Sequence, residues 1–341
     1  MAKRLKGRTY ILEGDVSIEQ TASVVGPFEG EGPLGKYFDV VNEDDLMDEK
    51  SYESAESGML KNSIELLMKK ASVNEEETDV IIGGDLLNQI TATTFAVRDF
   101  AIPYWGIYNA CATYTLGLQI ASLGIDSGAF KKAIVTASSH FSTSERQYRS
   151  PLELGTQNPA TSQRTVTGAG SCLVASGGGG PYINDFTIGS VTDLGQCDPY
   201  NMGSAMAPAA VKTLIEHFAN TKTDLKDYDL VLTGDLANEG LNIAKELLEE
   251  YGYPGENITD CGKLIYDDSV QYVNNGGSGA GCCANVFNGF IYKLMKEKRI
   301  NTLLFVATGA LLSTTSSQQS NSIPCIAHAV TITNERRKYN V

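Results

Sequence analysis

Thr78-Asp-Val-Ile-Ile-Gly-Gly-Asp-Leu-Leu-Asn88 and Tyr228-Asp-Leu-Val-Leu-Thr-Gly-Asp-Leu-Ala-Asn238 are near copies of one pattern, 150 residues apart. Each is a short apolar run ending in Gly-Asp, which reads as a buried parallel strand running into a loop that can carry a site. Two more stretches repeat in the same order. Cys111-Ala-Thr-Tyr-Thr-Leu-Gly-Leu-Gln-Ile-Ala121 opens one helix and the glycine loop Asn274-Asn-Gly-Gly-Ser-Gly-Ala-Gly-Cys-Cys283 opens another. Lys131-Lys-Ala-Ile-Val-Thr-Ala-Ser-Ser139 then answers to Asn301-Thr-Leu-Leu-Phe-Val-Ala-Thr-Gly309 as a second buried strand. Strand, helix, strand in each half implies an α/β fold of parallel sheets with right-handed crossovers, its two halves related by a pseudo-two-fold axis.

The rest of the chain fits around this duplication. Residues 51–71 place apolar side chains at 55, 59, 60, 64, 67 and 68, and residues 238–251 put Leu241, Ala244, Leu247 and Leu248 on one face. Both spacings predict helices. Residues 208–219 predict a third, with Pro208 near its start. Residues 26–50 and 140–165 show no clear period; loops of that length are usually functional or make subunit contacts. The four glycines at 177–180 mark a junction, dividing an N-terminal half (1–180, carrying Cys111) from a C-terminal half (181–341, carrying Asp235 and the glycine loop 274–281). Residues 334–341 read as a disordered tail.

Composition narrows the class. The 341 residues, 42% hydrophobic, suffice for a large core. No stretch approaches the ~20 apolar residues of a membrane span, so direct membrane insertion is not expected. Seven scattered cysteines, without a CxxC pair or a Cys/His cluster, indicate neither a disulfide framework nor a structural metal, and fit a reducing compartment. A net charge of −14 without a basic stripe argues against nucleic acid, and it obliges any anionic ligand to find local donors or bring a cation. Gly168-Ala-Gly170 lacks the third glycine of a dinucleotide fingerprint, and no P-loop occurs.

Candidate site residues gather where the duplicated strands end. Cys111 sits between a strand-like approach and a helix start, where the helix dipole favours a thiolate; the alternative is a small buried hydrophobe. Asp235 and Asn238 follow a buried strand at the same sheet end. Asn275, Gly277 and Ser278 belong to a loop whose backbone N–H groups can approach a ligand. Asp260 and Lys263 offer an acid and a base at a rim. His140 directly follows the strand 133–139 and either faces the pocket or caps local backbone. His217, beside Glu216 in a helix, is expected to be partly exposed, and His328 to be structural.

Tyr108-Asn-Ala-Cys-Ala112, Asp235-Leu-Ala-Asn238, the loop 275–281 and Thr308-Gly-Ala310 fall in an order and spacing that resemble the thiolase and ketoacyl-synthase superfamily, over nearly the whole chain. Within it the chain resembles more closely the stage V sporulation protein AD family. The resemblance implies a five-layer αβαβα fold and a homodimer. In the condensing enzymes of synthase III type a cysteine is acylated while a histidine and an asparagine stabilise the enolate. Carried over, Cys111 matches the nucleophile, Asp235 stands for the histidine and Gly276 for the asparagine. An ionised aspartate offers only acceptors where the reaction needs donors, so the resemblance implies a non-catalytic member.

The family then implies binding of dipicolinic acid (pyridine-2,6-dicarboxylic acid), with Cys111, His140, Asp235, Asn238, Asp260, Asn275, Gly277 and Ser278 as the ligand-binding set. It implies a role in uptake of that ligand into the developing spore and its release on germination. No cofactor or resident metal is expected; calcium would accompany the ligand as its chelate. Integral membrane proteins of the same stage V sporulation A system are the implied partners, holding a cytoplasmic-type fold at the spore inner membrane. The alternative is a residual acyltransferase using Cys111, with His140 as base.

Overall fold

Buried runs of Val, Ile and Ala form the strands that order this chain, and the computed structural model describes them within residues 1–150, 152–337 and 339. The first half supplies β1 (Val16–Val25), β2 (Val80–Gly84), β3 (Tyr104–Gly106), β4 (Lys132–Ser139) and β5 (Gly168–Ser176). The second supplies β6 (Tyr182–Thr187), β7 (Leu230–Thr233), β8 (Ile258–Asp260), β9 (Thr302–Ala310) and β10 (Cys325–Thr333). Their spatial order is β8-β7-β9-β10-β6-β1-β5-β4-β2-β3. Outward from the centre it reads first, fifth, fourth, second, third strand on either side. One residue pair, Tyr182 with Ser17, joins β6 to β1.

The sheets are mixed rather than parallel. β3-β2-β4 and β8-β7-β9 run parallel, but β4-β5-β1 and β9-β10-β6 are antiparallel. The chain leaves β4 and β9 and re-enters from the same end, so the next strand must run back; a parallel strand would require a crossover to the far end.

Helices fill three layers around these strands. α1 (Tyr52–Ala71) and α2 (Thr91–Val97) cover the outer face of the first half-sheet. α3 (Thr113–Asp126) packs on β4 and β2 with one side and on β9 and β10 with the other, so it lies between the half-sheets. It can approach β4 closely because residue 117 is glycine: a Cβ there would stand 2.7 Å from Val135. α5 (Met202–Thr221) and α6 (Ala237–Glu250) cover the second half-sheet. The result is the five-layer thiolase-like architecture.

Several expectations are corrected. α5 starts at Met202, not near Pro208, because the Asn201 side chain caps it by accepting from the Ser204 N–H; Pro208 lies inside the helix. His217 is fully buried rather than partly exposed, hydrogen-bonded to Thr187 Oγ1 at 2.9 Å and Tyr228 Oη at 2.9 Å. The tail is not loose in its described part: Asn334 donates to Met295 and Ile300 carbonyls, the Arg337 N–H donates to Asn184, and Tyr339 hydroxyl donates to buried Asp185. Residues 338, 340 and 341 lie outside the described residues.

The aperiodic segments have structure too. Val40–Val41 adds a short parallel pairing to β1. Residues 141–148 form helix α4 (Phe141–Tyr148), between α3 and α5 in sequence, and Arg164–Thr165 pairs with Gly277–Ser278, tying the segment to the glycine loop.

Candidate functional site

The ends of β2, β4, β7 and β9 meet over Cys111. After β3 the chain turns through Ala110–Ala112, with Ala110 in the left-handed region (φ 48°), and enters α3. Thr113 fixes this turn: its hydroxyl donates to the Ala110 carbonyl at 2.7 Å and accepts the Asn109 N–H at 3.0 Å. Cys111 is left 7% exposed at the bottom of a small chamber.

Asp235, one glycine beyond β7, is fully buried against it. Oδ1 accepts from Thr308 Oγ1 at 2.7 Å, and Oδ2 from Ser278 Oγ at 3.0 Å and from the Gly279 N–H at 3.2 Å. Cys111 is near enough for this carboxylate to act on its thiol. Gly279 has φ 108°, and a Cβ there would meet Ser139 Oγ at 2.6 Å, so only glycine lets this N–H reach the carboxylate. Asp260 supports the same loop one layer back, accepting from Thr233 Oγ1 (2.6 Å), Leu236 N–H (2.9 Å) and the N–H groups of Ala237 and Gly262 (2.8 Å each).

The electrostatics oppose a thiolate. Burial, and then Asp235, push the Cys111 thiol well above its ordinary range, against the helix-dipole expectation. Burial also pushes Asp235 upward, although the Thr308 and Ser278 hydroxyls and the Gly279 N–H favour the charged form. Asp260 is raised by burial to about 6.

Cys111, Asp235 and Ser278 are therefore brought together. Asn275 stands outside the chamber, its Oδ1 accepting the Glu239 N–H at the start of α6, and the Gly277 carbonyl accepts from Gln163. The Gly276 carbonyl accepts the Arg164 N–H. Asn238 donates to Asp268 near the surface. His140 is turned away: Nε2 meets the Asp45 carbonyl at 2.8 Å and Nδ1 accepts the Ser142 N–H. No histidine lines the chamber among the described residues. His328, on β10, is held near neutral by burial, which lowers it to about 4, and its Nε2 meets the Asn109 side chain at 2.6 Å.

The sequence did not single out the chamber's lid. Leu86, Tyr148, Arg149, Thr165, Met202 and Leu312 complete the wall. The chamber's volume is about 20 Å³, room for one water. Tyr148 closes it, donating to the Leu86 carbonyl and lying 3.2 Å from Tyr108 Oη. Beyond Tyr148 and Leu312 opens a vestibule of about 500 Å³, lined by Asn88, Gln89, Tyr108, Gln147 and Ser316. For Tyr148, Arg149 and Thr165 the only signal was the length of the aperiodic segment 140–165. Among the described residues no cluster of three His, Cys, Asp or Glu side chains could hold a metal, and no helix is long and apolar enough to cross a membrane.

The family model described as stage V sporulation protein AD matches residues 6–333. Stage V sporulation protein AD of Bacillus subtilis (strain 168) is 40% identical over 329 residues, covering 96% of this chain and 97% of that protein. Among solved structures, a form of OleA of Xanthomonas campestris is similar with a TM-score of 0.60 at 14% identity, over 94% of this chain and 99% of that one. The 3-oxoacyl-[acyl-carrier-protein] synthase III of Aquifex aeolicus VF5 is similar with a TM-score of 0.56 at 15% identity, over 95% and 99%. At these identities the structural likeness speaks for the fold alone.

Proposed function

Because this chain belongs to the stage V sporulation protein AD family, we propose that it binds dipicolinic acid in the Cys111 chamber without transforming it. The observation that carries the reading is the pairing of Cys111 with a buried carboxylate. A thiol raised by burial and by Asp235 is a poor nucleophile, and Asp235 supplies acceptors where an acyl-transfer site needs donors for a developing oxyanion. What remains is a small chamber at the sheet end, largely apolar with a few fixed polar groups (Ser278, Thr165 and Arg149), a composition suited to orienting a rigid aromatic dicarboxylate.

The chamber has room for about one water, so the ligand enters only when Tyr148 swings out and the chamber joins the vestibule. The combined space falls in the range usual for small-molecule sites. Ser278 then presents its hydroxyl oxygen, and Asp235, buried behind it, takes part as a proton carrier. Calcium accompanies the ligand as its chelate, part of the cargo. The same binding would support movement of the ligand into the developing spore and out at germination, with the chain held at the inner membrane by integral membrane partners of the same system. A homodimer would form through the exposed edge of β3, beside Trp105 and Phe95.

Isothermal titration with dipicolinate, with and without calcium, tests this on the native chain, Cys111→Ala and Asp235→Ala. Saturable binding weakened by either substitution is the expected result. No heat of binding, together with acylation of Cys111 by an acyl-coenzyme A, would replace this reading with a residual acyltransferase.

A further inference from the structure

One arm of a buried guanidinium beside Cys111 has no partner among the described residues. Arg149, just past the end of α4, lines the chamber with its side chain only 2% exposed. Nη1 is paired with the Glu145 carboxylate one turn back, and Nε lies 3.4 Å from the Pro199 carbonyl. The group also rests 5.6 Å from the Tyr200 ring centroid. Nη2 is buried with no hydrogen-bond partner among the described residues. A charged donor left unpaired away from water is costly, and a planar guanidinium fork matches a carboxylate better than any other side chain does.

We propose that Arg149 is the carboxylate anchor of the chamber: Glu145 pins the guanidinium in place, Nη2 receives one carboxylate of the ligand, and Tyr148, the preceding residue, is the door. The inference rests on the chamber being a ligand site and adds which group holds the anion. Glu145 already offsets the charge of Arg149, so the anchor acts through a directed hydrogen bond rather than net positive charge.

The test reads the anion preference of the chamber without relying on dipicolinate. In the full chain carrying Cys197→Ser, which removes the exposed thiol, Cys111 is allowed to form mixed disulfides with neutral methyl methanethiosulfonate or its anionic sulfonatoethyl analogue. Rates are read by peptide mass at one pH. The anionic-to-neutral rate ratio should fall about tenfold in Arg149→Gln, the loss of one charge-assisted hydrogen bond. Tyr148→Ala should speed the neutral reagent several-fold. An unchanged ratio in a folded Arg149→Gln protein overturns the anchor, and no acceleration in Tyr148→Ala overturns the door. Equal dipicolinate affinity with and without Arg149 also sinks the anchor while leaving the ligand standing. A lowered ratio in a protein that does not bind dipicolinate keeps the anchor and rejects that ligand.

Discussion

Asp235 is buried behind the chamber wall, hydrogen-bonded to the lining residue Ser278, and a bound dicarboxylate would sit close to it. Two carboxylates in a dry site cannot both stay ionised at low cost, so the ligand raises Asp235 further and a proton is taken up on binding. Affinity should therefore fall as pH rises. Titrations in two buffers of different ionisation heat should show a buffer-dependent enthalpy, lost in Asp235→Asn; a buffer-independent heat in the native chain would refute the linkage. At this scale the sequence was informative where the repeated stretches pointed: Asp235 sits just past a strand end, Cys111 at a helix start and Ser278 in the glycine loop. His140 shows why the rest was not legible. It follows a strand that ends at the site, but side chains alternate along a strand, and Ser139 takes the inward place by accepting the Gly281 N–H. His140 consequently points to Asp45. Arg149 and Tyr148 reach the chamber through packing of a segment with no period to read.

Helix α4 brings those two residues in, and its start is tied down by a carboxyl that composition gave no reason to bury. Glu56 of α1 is fully buried, accepting from Ser138 Oγ on β4 at 2.9 Å and from Thr143 Oγ1 on α4 at 3.0 Å. Burial first, and the neighbouring Asp85 second, raise it to about 8 from an ordinary value of 4.5. The folded state thus keeps a proton that the unfolded chain has released between those values. Its contribution to stability is complete below about pH 4.5 and is lost as pH rises through about 8. The melting temperature should decline over that window, and Glu56→Gln should flatten the decline without abolishing it, because Asp85 and Asp260 are raised as well. A variant with an unchanged slope would show that Glu56 titrates normally. The periodicity over 51–71 located α1 correctly but treated its inner face as wholly apolar; Glu56 and Ser63 share that face. α5 was misjudged at its start for a similar reason: Asn201 caps a turn rich in small residues, which carries little apolar signal.

For the whole molecule the internal echo was decisive, since three repeated stretches in one order foretold a duplicated α/β fold, and the observed strand order repeats about the centre. Strand direction was less accessible, because the returns into β5 and β10 depend on where segments without a pattern leave the sheet. The edge strand β3 is an open ladder beside Trp105, 50% exposed. If it pairs two copies, Trp105→Glu should yield a monomer in sedimentation velocity at concentrations where the native chain is a dimer; identical profiles would place any self-association elsewhere.

Helix α3 has a consequence for biosynthesis. One of its sides rests on strands made early and the other on β9 and β10, which lie in the last 40 residues of the chain. A ribosome would finish the first half long before anything could cover that second side. The nascent chain must carry an unshielded apolar helix, above the residue that defines the chamber, until β9 and β10 have emerged. Chaperone demand should therefore peak in mid-translation, and a product truncated after the first half should be caught by quality control rather than accumulate as a stable fragment.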